Sequence, residues 1–165
     1  MSKKLAGFSV ACGVLAAAFA GEALAATDTD TFQVTATVVS SCDVDAADMG
    51  FGSYDPVSAT PLDASTTMQV RCTNGTGYVI ALNPGTGSGA TTASRRMTNG
   101  ANTLSYSLYQ DVGRTALWGQ SGGVDTVAGT GNGAAQNLTI YSRAPAYQTA
   151  PAGSYADTIT VTLTY

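Results

Sequence analysis

The chain has no histidine, and beyond position 25 it has no lysine and no glutamate either. General acid–base catalysis near neutral pH draws mainly on those three residue types. Only aspartate remains for such work. Asp28 with Asp30, and Asp43 with Asp45, are near neighbours that would share a face on a strand. Exposed turn carboxylates explain them better, and neither pair resembles a calcium loop. Cysteine is also scarce, at three in the chain. No histidine or Cys-x-x-Cys spacing accompanies them, which argues against a zinc site. Apolar residues never follow a 3.6-residue period for more than a turn, so a helical bundle is excluded. An enzyme is not expected, and no cofactor or metal is called for.

What is present begins with Lys3 and Lys4, an apolar stretch from Leu5 to Ala20, and Ala23-Leu24-Ala25. That order reads as a secretion signal over residues 1–25, too short for a membrane span. Cys12 lies inside it, without the Leu expected of a lipoprotein signal. Removing 25 of the 165 residues leaves 140, enough for one domain with a modest core. Those residues carry five Arg against ten Asp, a net charge of −5. Such an acidic product is a poor partner for nucleic acid or anionic membrane. So little charge suits a surface covered by further copies of the chain. Cys42 and Cys72, exported to an oxidising compartment, are expected to form a disulfide.

Period-two alternation supplies the rest. Phe32, Val34, Ala36 and Val38 alternate with Gln33, Thr35 and Thr37. Met68, Val70 and Cys72 form a second set, then Tyr78, Ile80 and Leu82, then Leu104, Tyr106 and Leu108. Leu138 and Ile140 open a fifth run, and Ile159, Val161, Leu163 and Tyr165 alternate with threonines in the last. Turn signals separate them: Asn74-Gly75, Asn83-Pro84-Gly85, Asn99-Gly100, Gly113, and Gly129 to Gly133. Asn74-Gly75 is a hairpin candidate, and the loop from Gly85 to Gly89 is expected to be exposed and mobile. Short strands at this spacing, with no helix between them, predict an all-β antiparallel sandwich.

Several longer motifs carry a resemblance. Ser41-Cys42-Asp43-Val44, Phe51-Gly52-Ser53-Tyr54-Asp55-Pro56, Val70-Arg71-Cys72-Thr73-Asn74-Gly75 and Leu104-Ser105-Tyr106-Ser107-Leu108-Tyr109 appear in order. Trp118-Gly119, Tyr141-Ser142-Arg143-Ala144-Pro145 and Ala152-Gly153-Ser154-Tyr155-Ala156-Asp157-Thr158 follow. Together they resemble the spore coat protein U domain family over nearly the whole exported chain. That family is similar to the Csu-type subunits of archaic chaperone–usher pili. The resemblance implies an incomplete immunoglobulin-like sandwich that lacks its last strand. A periplasmic chaperone would fill the gap first, and a donor strand from the next identical or related subunit would replace it at an outer-membrane usher. The product would be a cell-surface or secreted fibre supporting adhesion and biofilm formation.

On that reading residues 26–40 form the donor segment and residues 41–165 the sandwich domain. Phe32, Val34, Ala36 and Val38 would be the inserted face, with Thr27 to Thr31 a polar tail. Ile159, Val161, Leu163 and Tyr165 would flank the acceptor groove and contact the chaperone, which would grip the terminal carboxylate. A self-contained carbohydrate-binding or adhesin domain is the alternative, with Trp118, Tyr106 and Tyr109 as a possible sugar platform; core or subunit-contact roles suit these aromatics better. Asn74-Gly75-Thr76 and Asn137-Leu138-Thr139 fit a glycosylation sequon but read better as a turn and a strand start. Arg95-Arg96 is too short for an anion patch and is expected to be solvated.

Overall fold

The computed structural model describes residues 25–165, so the expected leader lies outside them except for its last residue. The chain divides into two units, Met1–Ala36 and Thr37–Tyr165. Residues 25–36 of the first carry no strand, and Phe32 and Val34 are 88% and 84% exposed. The second unit holds eight strands: β1 (Cys42–Ala46), β2 (Leu62–Cys72), β3 (Gly77–Leu82), β4 (Arg95–Asn99), β5 (Asn102–Tyr109), β6 (Val127–Thr130), β7 (Ala135–Ala144) and β8 (Val161–Thr164).

Every pairing is antiparallel. One sheet runs β1-β2-β7-β5-β4 and the other β6-β3-β8. They form an immunoglobulin-like sandwich whose core follows the alternation in the sequence. Met68, Val70 and Cys72 of β2 meet Tyr78, Ile80 and Leu82 of β3, with Tyr106, Leu108 and Ile140 beside them. Cys42 and Cys72 face each other in register, Cα atoms 4.1 Å apart, and are joined by the disulfide.

Trp118 is buried with these residues, and its indole N–H donates to the Ile80 carbonyl at 3.1 Å. It is a core residue, which removes it from any sugar-binding platform. Tyr106 is buried too and meets Phe51 edge-on, ring centroids 5.9 Å apart.

Four readings of the sequence need correcting. Asn74-Gly75 does not close a hairpin: β2 pairs with β1 and β7, whereas β3 pairs with β6 and β8. The four-residue link arches from one sheet to the other, because both flanking runs bury their apolar faces against each other. Gly129 and Thr130 belong to β6 rather than to a loop. Gly129 lies opposite Tyr78, and a Cβ there would collide with the Tyr78 ring, so the glycine serves packing within a strand.

Arg95 is fully buried in β4 instead of solvated. Its guanidinium donates to the carbonyls of Asn83, Thr92, Leu82 and Trp118 at 2.7–3.0 Å. The loop from Gly85 to Gly89 is exposed at Thr86, Ser88 and Gly89, as expected, but it is tethered. Thr86 donates its amide and hydroxyl to Asp157, Ser88 accepts from Arg96, and Gly87 is buried against the Arg96 backbone.

Candidate functional site

A sandwich is sealed where its two sheets' side chains interdigitate, and it leaks where an edge strand is missing. Here β1 and β8 are the neighbouring edges of the two sheets, and they approach each other without sharing a ladder. Past Ala46, where β1 ends, the gap widens into a cavity of about 510 Å³. Ala46, Ala47 and Met49 line one side, and Tyr155, Ile159 and Val161 line the other. Its floor is the core itself: Leu82, Tyr106, Leu108 and Ile140. A second cavity of about 610 Å³ shares Met49, Phe51, Met97 and Tyr155 with the first and extends past Leu104 to Pro56 and Pro151.

The rim opposite β1 is held by hydrogen bonds. Thr98 and Ala156 exchange backbone bonds, 2.8 Å and 3.1 Å long, tying the segment before β8 to the edge of β4. Asn83 then binds Thr160 through its amide and side-chain oxygen. The chain thus passes from the β4 edge of one sheet to the end of β3 in the other, beside the cavity.

Polar side chains also line the cavity, Asp48, Thr66 and Thr158 among them, and Asp157 is the most heavily bonded. Asp157 accepts the Tyr106 hydroxyl at 2.7 Å, the Thr86 amide and hydroxyl, and the Thr158 amide. Burial, and then that bond to Asp157, push the Tyr106 phenol far above its ordinary value. Tyr106 therefore stays a neutral donor, and Asp157 has its oxygens occupied by four protein donors. The pair fixes the rim and offers no free base to a substrate.

The residues expected to flank a groove fall in three places. Ile159 and Val161 line the cavity. Leu163 packs against the core, and Tyr165 is 59% exposed. The last apolar run is also shorter as a strand than its alternation suggests: Ile159 precedes β8, and pairing covers only Val161 to Thr164. Phe32, Val34 and Ala36 lie in the first unit, and Val38, in the second, is 83% exposed outside any strand.

The aspartates Asp43 and Asp45 lie exposed on one face of β1. Met49, Phe51, Met97 and Tyr155 were not anticipated as lining residues. Only Phe51 and Tyr155 carried a signal, as members of the quoted motifs. Met49 and Met97 sit outside any alternating apolar run, and only the fold brings them together.

Comparison with known proteins bears on this geometry. The model of the family described as Spore Coat Protein U domain matches residues 28–162. Protein U of Myxococcus xanthus is 37% identical over 156 residues, which cover 86% of this chain and 87% of that protein. The fold also resembles the crystal structure of the CsuC–CsuE chaperone–tip adhesion subunit pre-assembly complex from archaic chaperone-usher Csu pili of Acinetobacter baumannii. The TM-score there is 0.58 at 23% identity, and the match covers 78% of this chain but 41% of that one.

Proposed function

This chain belongs to the Spore Coat Protein U domain family, and from that premise we propose that it is a structural subunit of an exported surface fibre, polymerised by strand donation. Residues 32–38 of one copy fill the groove between β1 and β8 of the next. The observation that carries this reading is the cavity whose floor is the hydrophobic core. A self-sufficient sandwich covers the apolar side chains along its edges; here Met49, Phe51, Ile159 and Val161 pack on the core yet stay only partly buried around the opening.

The donor has the matching form. Seven residues span about 23 Å when extended, a full strand length. Burying Phe32, Val34 and Val38 contributes at most about 1.5–3 kcal/mol each. Ladder bonds to the open edges of β1 and β8 add to that, and remove edges that invite indiscriminate aggregation. Lying ahead of Cys42, the segment is outside the loop closed by the disulfide and is free to leave its own domain.

Residues 1–25 act as the export signal, and the product passes through the periplasm to the cell surface. The partners on this reading are identical or related subunits, a periplasmic chaperone that occupies the groove first, and an outer-membrane usher. The similar fold from A. baumannii comes from a chaperone–tip adhesion subunit pre-assembly complex, which supports the chaperone step. The role is mechanical, in adhesion or biofilm, and not catalytic.

Deleting residues 27–38 tests the scheme. The truncated chain, co-expressed with its chaperone, should be exported and folded yet give no heat-sensitive ladder of multimers on a gel. Multimers from that deletion would refute strand donation.

A further inference from the structure

A donor that precedes its own acceptor by only three residues raises the question of self-closure. Folding back over Val39-Ser40-Ser41 would place Val38 opposite Cys42, Ala36 opposite Val44, Val34 opposite Ala46 and Phe32 opposite Asp48. Cys42 and Val44 point inward from β1, and Ala46 and Asp48 line the cavity. Directly opposed residues on antiparallel strands share a face. The register therefore lets the chain plug its own groove with its apolar side inward, and such a monomer could neither donate nor accept.

We infer that Thr73 is the positioning residue that prevents this. The Thr73 carbonyl is turned into the β2–β3 arch, where it accepts the Thr76 amide at 3.0 Å. Its hydroxyl takes over the ladder position. The Ser41 amide donates to Thr73 Oγ1 at 3.1 Å, and the single proton of that hydroxyl is within reach of the Val39 and Ser41 carbonyls, each at 3.3 Å, and goes to one of them at a time. The Thr73 amide also donates to the Ser41 carbonyl at 2.9 Å. Val39 and Ser41 thus run on beside Thr73, past the end of β2 and ahead of the start of β1, and do not turn back over β1.

The loop composition acts in the same direction. Three-residue hairpin loops need a left-handed residue, usually Gly, at their last position. Ser41 stands there, and among the described non-glycine residues only Arg114 and Tyr147 have positive φ. Self-closure would need Ser41 to enter a disfavoured conformation and Thr73 to release both its partners.

The inference rests on the strand-donation reading, and the test separates the two. Full-length Thr73→Val, Thr73→Ser and the double variant Thr73→Val with Ser41→Gly are compared with the wild type. Multimer yield is scored on gels, and amide exchange of residues 32–38 is followed in monomers released from the chaperone. Buried Trp118 fluorescence reports whether each variant is folded. Thr73→Val should lower multimer yield several-fold and protect residues 32–38 in the monomer. The double variant should go further, about tenfold, and Thr73→Ser should restore wild-type behaviour. Wild-type yield and exchange in both Val variants, alongside a deletion of residues 27–38 that abolishes multimers, would overturn the role of Thr73 alone. Multimers surviving the deletion would overturn strand donation, and this inference with it.

Discussion

Arg95 shows how a single residue can run against its type. A buried guanidinium is costly unless its donors are met, and here four carbonyls meet them. Burial lowers its pKa from the ordinary value, and the nearby Tyr106, Asp125 and Asp157 oppose that shift. Those carbonyls belong to the end of β3, to the loop before β4 and to Trp118, so the side chain joins three segments that share no ladder. Replacing it with methionine keeps much of the volume and orphans the carbonyls. Arg95→Met should destabilise by about 3 kcal/mol or more, read as a lower urea midpoint by Trp118 fluorescence. A midpoint within error of the wild type would mean water can replace the guanidinium.

Strands are defined by what covers their two faces and two edges. β2 has both edges paired and its inward face sealed by Met68, Val70 and Cys72. β1 and β8 each leave an edge unpaired, and their ends at Ala46 and Val161 line the cavity. The segment Phe32 to Val38 has an apolar face with nothing of its own domain to cover it on the strand-donation reading. A charge on that face is therefore a sharp probe. Val34→Asp in the full chain should leave the domain folded and the chaperone complex intact, yet cut multimer yield at least tenfold. An unpaired carboxylate would have to enter a groove floored by Leu82, Leu108 and Ile140. Undiminished multimers from that variant would mean Val34 does not enter it.

Across the whole molecule, stability should depend on acid through a few specific carboxylates. The bidentate bond from Arg143, with Arg114 nearby, holds Asp63 below its usual carboxylate range. Backbone amides of Ala116 and Thr115 do the same for Asp111. A carboxylate whose folded pKa lies below its unfolded value of 3.8 stabilises the fold above that pH. The contribution fades as pH falls through the lower folded value. The urea midpoint should thus stay level from about pH 7 to about pH 5 and then drop below about pH 4. Asp63→Asn should start lower at about pH 6 and converge with the wild type near about pH 2. Parallel acid curves would deny Asp63 this role. The pair is partly exposed, so the gap should stay below about 1 kcal/mol.

Local chemistry was enough to determine the all-β class, the inward faces of β2, β3, β5 and β7, and the partnership of Cys42 with Cys72. Alternation repeats every two residues and needs no knowledge of distant neighbours. The alternating segment ahead of Cys42 was legible for the same reason. Only tertiary structure decided that Asn74-Gly75 arches between sheets, because a turn's residues do not record which sheet receives the next strand. It also buried Arg95 and placed Gly129 under Tyr78, since each depends on atoms supplied from elsewhere in the chain. The groove belongs to the same class. Met49, Phe51, Met97 and Tyr155 come from separate stretches of sequence, and the opening they share exists only where two sheet edges fail to meet.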